Sequence, residues 1–497
     1  MTICYEESTA HSGNRARPCL QFLSAEQAEH IHRASLRLLE TAGVKVHLPE
    51  AVDLLKKAGA EVVDTYHVRI PRELVEEALR TVPRSIEIGN RRGDAAMVLR
   101  GGNSYYGTGP TIQYVYDIDT GERRPTDYED IEKAARLCDY LPNIDFVMPM
   151  GMTAGVDSAS RGVNPKLTDR YDFAAMLRNT TKPLMCSCWT GEGLSDIYEM
   201  AIAVRGNEHN FQNNPFFILF RQPVSPLTHD AEPLRAVLYC ADRGIPMCYA
   251  SYPLMGATGP ATLAGSFALS NAEFLSGLVI SQLRRPGAPV IYNGGSGPMD
   301  MRASTTPYNA PESFLGEMTG KAMAEFYGMP NYSYGGLTDA KLLDEQAGVE
   351  AALSLYMSTL AGSTLIHDVG YMDSGMTASW ELILLGDEII GHLKRLMEGI
   401  DLGDEHLALE LIEKVGPGGH FLMEDHTLEH YRDVWYPKVI NREEYSVWAG
   451  KGAKPLREVL REKVRWILEN HHPEQLPKDV EEKIGTILKR ASNEVKG

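Results

Sequence analysis

Phe216-Phe217-Ile218-Leu219-Phe220-Arg221-Gln222-Pro223 is the stretch whose reading decides the fold. Five apolar residues in a row, closed by a polar pair and a proline, are too short for a helix and suit a strand buried on both faces. Comparable runs, each leading into a loop, lie at Ser104–Gly107, Phe146–Met150, Pro183–Cys188, Pro246–Ala250, Pro289–Asn293, Asn331–Tyr334 and Thr364–Val369. Helical patterns alternate with them at Tyr128–Tyr140, Asp169–Arg178, Leu194–Val204, Ala231–Arg243, Leu263–Arg284, Pro311–Tyr327, Leu342–Leu360 and Ser379–Met397. Eight strand–helix units over about 300 residues match a (β/α)8 barrel in count and length. An open doubly wound sheet shares the same periodicity, and the repeat count favours the barrel.

Outward from this core, residues 1–102 read as a helical extension with a short β piece near Ile86 to Leu99, residues 103–400 as the barrel, and residues 401–497 as a C-terminal tail packing on it. Ser24 and Gln27 form a capping-box pattern before a helix that stops at Gly43. Further helices run from about Pro49 to Gly59 and from Pro71 onward. A final helix is expected over Pro455 to Asn470.

The net charge of −18 argues against a nucleic-acid partner, which would need a basic face. Residues 1 to 19 carry no apolar signal segment, and Ala351 to Ile366 is interrupted by hydroxyl residues and too short to span a bilayer. Seven thinly spread cysteines do not suggest a disulfide framework. These features predict a cytoplasmic protein without a membrane segment.

In a barrel the active site sits at the C-terminal strand ends. There the sequence places Tyr105 and Tyr106, Trp189, Arg221, Tyr252, Tyr292, and His367 with Tyr371. Recurrent aromatic rings with few charges suit a quaternary ammonium ion, which cannot donate a hydrogen bond and is held by ring faces. Tyr105, Tyr106, Tyr252 and Tyr371 are the expected cage, Arg221 the fork for a substrate carboxylate, and His367 a hydrogen-bonding group. After the seventh strand, Gly335 and Gly336 give a flexible turn, Thr338 or Asp339 can cap the helix that follows, and Asp339 and Gln346 are expected to hold that loop. Cys186, Cys188 and Cys248 offer a thiolate zinc site as an alternative, and His420, His426 and His430 a weaker one; neither has paired ligand spacing, and no metal is expected.

Several blocks resemble the trimethylamine methyltransferase family. They are Val415 to Leu422, Asp425 to Thr427, Tyr431-Arg432, Trp435-Tyr436-Pro437, Arg442, Thr338 to Glu350, Gly256 to Gly265 and Val224 to Leu227, in one order over nearly the whole chain. The resemblance implies a (β/α)8 barrel that moves a methyl group from an amine to the cobalt of a corrinoid held on a separate protein. The trimethylamine enzymes carry a pyrrolysine, expected near the seventh strand, where this chain has Tyr334-Gly335-Gly336-Leu337. It therefore resembles the non-pyrrolysine branch, which implies a quaternary amine such as glycine betaine, proline betaine or carnitine as methyl donor. Gly335 and Gly336 are then expected to let the flat corrinoid approach. The corrinoid motif Asp-x-His-x-x-Gly is not met, since Asp404 to Leu409 lacks the glycine, so cobalamin is expected on a partner and no cofactor is expected to be tightly bound here. A homo-oligomer is expected. A zinc-dependent methyltransferase and a non-catalytic betaine-binding protein are the rival readings.

Overall fold

The computed structural model describes residues 15–153 and 164–494. Leu184–Ser187, Phe217–Arg221, Met247–Ser251 and Val290–Gly294 form one parallel sheet, and Tyr332–Tyr334, Leu365–His367 and Tyr105–Tyr106 form another. Single parallel bridges, Tyr292 to Asn331, Gly107 to Phe146 and Val147 to Leu184, join the two into a ring. The fold is the expected closed (β/α)8 barrel and not an open sheet. The second strand is reduced to those bridges because a side chain replaces part of its ladder. Thr108 Oγ1 donates to the Met148 carbonyl at 2.9 Å and accepts from the Met148 N–H at 2.9 Å.

Four barrel helices begin and end where the pattern places them: Tyr128–Tyr140, Ala231–Arg243, Leu263–Arg284 and Pro311–Tyr327. The seventh starts later than expected, at Glu345, because the Asp344 carboxylate accepts from the N–H groups of Gln346 and Ala347. Asp344, rather than Thr338 or Asp339, is therefore the cap. Leu263–Arg284 is long and apolar enough to cross a bilayer, yet it is a core helix. Its Asn271 and Glu273 are fully buried and hydrogen-bonded to protein groups, Glu273 accepting from Ser225, Ser251 and the Leu227 N–H.

Alternation along the strands divides the core into two shells. One lies between strands and helices; the other fills the barrel with Phe146, Met148, Met185, Ile218, Ile291 and Leu365. The short β piece is an antiparallel hairpin, Ile86–Gly89 with Ala95–Leu99, and its Ile86, Ile88, Met97 and Leu99 pack into that inner shell. The hairpin thus seals the N-terminal end of the barrel.

Beyond the eighth helix, Trp380–Glu398, four short helices at Asp404–Leu407, Leu409–Val415, Asp425–His430 and Tyr445–Gly450 contain no buried residue. Leu456–Asn470 then packs on Trp380–Glu398 and Tyr128–Tyr140. A last helix that the sequence reading did not place, Lys478–Glu494, packs on Gly191–Arg205.

Ile218 is fully buried in the inner shell. Ile218→Ala should lower stability by about 2–5 kcal/mol, read as a reduced urea midpoint at unchanged m-value. An unchanged midpoint would contradict a close-packed barrel interior.

Candidate active site

The chemistry gathers at the C-terminal ends of the seventh and eighth strands. Asp368 follows His367 with φ of 74°, in the left-handed region that non-glycine residues seldom occupy. This turn brings Asp368 Oδ1 to 2.5 Å from His367 Nδ1. The imidazole lies flat on Tyr332, with centroids 4.0 Å apart and planes 6° apart. Gly109 makes the arrangement possible, since a Cβ there would collide with Asp368 and Tyr371.

A second carboxyl, Glu317, comes from the helix Pro311–Tyr327. Gly316 and Gly320 let this helix lie directly on the backbone, because a Cβ at either would strike the carbonyls of Ser296 or Gly294. Glu317 accepts from the Ser333 hydroxyl at 2.8 Å. Burial pushes its pKa from 4.5 up to about 7; the bonds from Ser333 and the Tyr334 N–H oppose the rise, and the charge of Asp368 adds to it.

Tyrosines surround the two carboxyls. The negative charge of Asp368 acts on Tyr308, Tyr332 and Tyr371, and that of Glu317 on Tyr252, Tyr308, Tyr332 and Tyr334. Burial, the dominant cause in each case, raises all five phenol pKa values, so the rings are neutral. Tyr308 and Tyr334 pack edge-to-face at 5.5 Å, and the Tyr334 hydroxyl donates to the Tyr308 carbonyl at 3.0 Å. The Tyr252 hydroxyl lies beside Tyr334 and Ser313 without completing a hydrogen bond. Neutral ring faces around carboxylates in a poorly solvated mouth form an environment that attracts a cation.

The residues expected from sequence divide between the mouth and other places. Tyr252, Tyr371 and His367 come together there. Tyr105 lies at the sealed end, where its hydroxyl accepts from the Val98 N–H at 2.9 Å. Tyr106 faces outward, with its hydroxyl 3.0 Å from Thr359 Oγ1. Alternation turns Tyr106 outward, and Tyr105, on the inner side, lies at the end of the barrel opposite the mouth. Arg221 also lies on the outer side of its strand; Nη1 donates to the Cys188 carbonyl, and buried Nε has no partner among the described residues.

Asp339 ties two mouth loops together, accepting from the N–H groups of Tyr308 and Asn309 and from Ser374 Oγ at 3.2, 3.0 and 2.8 Å. Gln346 is exposed and donates to Glu350. Gly335 and Gly336 are buried rather than open to an approaching ligand. A Cβ on Gly335 would press on Ile366 and Leu355, and one on Gly336 would press on Val369. Their missing side chains serve the packing of the eighth strand.

Cys186 and Cys188 belong to the outer shell and Cys248 to the inner one, so the barrel wall keeps them from sharing an ion. His426 and His430 have ring centroids 4.4 Å apart in the tail, away from the mouth. Tyr332 and Tyr334 belong to the expected seventh strand and Asp368 adjoins His367, whereas Tyr308, in the loop before the helix Pro311–Tyr327, was not expected. Glu317 had no local signal, because it lies in the middle of a helix and only Ser333 and the two glycines across the interface reveal it.

Fold and site together define a (β/α)8-barrel enzyme with an anionic, tyrosine-lined mouth. The family model for trimethylamine methyltransferase matches residues 5–496, and the chain belongs to that family of methyltransferases. It is 30% identical to the glycine betaine methyltransferase of Desulfitobacterium hafniense (strain Y51), over 96% of this chain and 98% of that one. It is 31% identical to a trimethylamine methyltransferase of Desulfitobacterium hafniense (strain DSM 10664 / DCB-2), over 95% and 94%. The monomethylamine methyltransferase of Methanosarcina barkeri shares the fold, with a TM-score of 0.52 at 12% identity over 90% of this chain and 88% of that one.

Ionisation of Glu317 near pH 7 should strengthen binding of a cation as pH rises from about 6 to about 8. Calorimetric titration of a quaternary ammonium ligand should show this rise in the wild type and a flatter profile in Glu317→Gln. Stability should respond in the opposite sense. An unfolded Glu317 releases its proton near 4.5 and the folded one near 7, so its contribution is complete below 4.5 and is lost as pH rises through 7.

Proposed function

We propose that this enzyme transfers a methyl group from a quaternary amine, glycine betaine foremost, to the Co(I) of a corrinoid carried by a separate cytoplasmic protein. Proline betaine and carnitine are the nearest alternatives. The observation that carries the reading is the pair of carboxyls, Asp368 and Glu317, beneath five neutral tyrosine rings. Similarity to a glycine betaine methyltransferase, and a chain of standard residues throughout, support it.

The chemistry suits the site. Cobalt(I) attacks the methyl carbon in line, the C–N bond breaks as the Co–C bond forms, and cobalt is oxidised to Co(III). The nitrogen keeps the bonding pair and leaves as a neutral tertiary amine, so no proton is transferred. The protein's part is to hold the cation in place and keep water out. Tyr252, Tyr308, Tyr332, Tyr334 and Tyr371 supply ring faces, while His367 fixes the Asp368 carboxylate. As positive charge on nitrogen disappears during transfer, the anionic lining releases the neutral product more readily than it held the substrate.

Incubation with a reduced corrinoid and a panel of quaternary amines should convert the Co(I) spectrum to that of methyl-Co(III), most rapidly with glycine betaine. Asp368→Asn should raise KM at least about tenfold, or about 1.4 kcal/mol. Tight betaine binding with no spectral change for any donor would favour a binding protein instead.

A further inference from the structure

Carboxyls and ring faces account for a cation in the mouth, but not for the anionic end of a betaine. That end is best met by a donor carrying positive charge, since charge-assisted hydrogen bonds are about twice as strong as neutral ones. The basic side chains of the rim are committed or placed elsewhere. Arg221 lies on the outer side of its strand. Arg123 sits over the Tyr114 ring at 3.6 Å and pairs with Asp373 at 3.2 Å, and Lys341 pairs with the same carboxylate at 3.4 Å. Arg302 stands on an exposed turn. Three phenols of the mouth are also taken: the hydroxyls of Tyr334, Tyr371 and Tyr332 donate to the Tyr308 carbonyl, the Pro110 carbonyl and Met148 Sδ.

His367 has an atom to spare. It stands two residues after Leu365 of the inner shell, so alternation turns it into the barrel. Its ring lies on Tyr332, which packs against Phe220 at 5.5 Å, and the three rings form a floor beneath the mouth. Asp368 holds Nδ1, while Nε2 has no partner among the described residues, and the side chain stays 14% exposed. The two buried histidines of the protein behave otherwise. His229 uses both nitrogens, with Tyr249 and Ser276 at 2.8 Å each, and His32 does so with Tyr327 at 3.0 Å and Glu76 at 3.1 Å. A histidine held at one nitrogen by a carboxylate and open at the other is oriented to serve a ligand.

We infer that His367, with a proton on each nitrogen, receives the carboxylate of a zwitterionic donor: Nδ1 stays on Asp368 and Nε2 donates to the substrate. The inference rests on the quaternary-amine reading and narrows it to donors with an anionic group close to nitrogen. In glycine betaine one methylene separates the ammonium from the carboxylate. Asp368 and His367 adjoin in the chain and are opposite in charge, so both ends of such a donor meet their complement in one corner of the mouth. The imidazole, held between Asp368 and the Tyr332 face, is already ordered and loses little freedom on binding.

Calorimetric titration of the full chain without corrinoid, against glycine betaine and against tetramethylammonium, reads the carboxylate contact apart from methyl transfer. His367→Phe retains a ring to lie on Tyr332 and should weaken glycine betaine at least about tenfold more than tetramethylammonium. Tyr308→Phe, which removes a neutral hydroxyl of the mouth, should weaken the two ligands alike. In wild type carrying isotope-labelled histidine, glycine betaine should shift the His367 Nε2 resonance further than tetramethylammonium does. Equal weakening of both ligands by His367→Phe, or loss of the discrimination in Tyr308→Phe instead, would overturn the inference and leave the quaternary-amine reading standing. A wild type that binds neither ligand would overturn both.

Discussion

Closure of the strand ring is the constraint on which the rest of this structure depends. At three places the parallel ladder thins to a single backbone bridge, and at two of them, Gly107 to Phe146 and Tyr292 to Asn331, side chains reinforce it. Thr108 bonds both backbone groups of Met148, Asn293 donates to the Tyr332 carbonyl at 3.2 Å, and Asp145 accepts from the Tyr106 N–H at 2.9 Å. An opened seam would strand buried peptide groups, each costing about 1–3 kcal/mol. The inner shell keeps the ring shut from within: the Ile86–Leu99 hairpin fills one end with aliphatic and methionine side chains, and the tyrosines fill the other.

The mouth illustrates how placement alters the chemistry of ordinary residues. A glutamate on an exposed helix face would be ionised throughout the neutral range. Two glycines bring Glu317 onto the backbone of the sixth strand's loop, and the lost hydration holds its proton to about pH 7. Asp368 occupies an uncommon backbone conformation, and the surrounding contacts with His367, Tyr371 and Gly109 fix it there. Asp368 is partnered by His367, whereas Glu317 is held by the Ser333 hydroxyl and the Tyr334 N–H, which leaves its counter-charge to be supplied by what enters.

The barrel was legible in the sequence because short apolar runs and helical periods follow one another eight times, and because turn residues mark the joins. Tyr252, Tyr371 and His367 were legible as strand-end residues. What could not be read was the direction of each side chain at a strand end: Tyr105 and Tyr106 adjoin in sequence, yet one points to the sealed end and the other through the wall. Arg221 follows the same rule, one residue past the inward Phe220. Gly335 and Gly336 had the signature of an open loop, whereas their role is to admit Ile366 and Val369. Glu317 depends on a contact between helix and strand that is sixteen residues distant in sequence, and no local pattern encodes it.

Among the described residues, the hairpin closes the barrel floor and leaves the strand-end mouth as the way into the proposed active site. Amine, spent amine and methyl acceptor then share a single doorway, and a bulky acceptor occupying it would trap whatever lies beneath. Under the proposed function, this geometry has the small donor enter first, the acceptor dock over it, and the demethylated amine depart after the acceptor has gone. In a barrel open at both ends the donor and acceptor could be exchanged independently. Here the plug couples them into a queue.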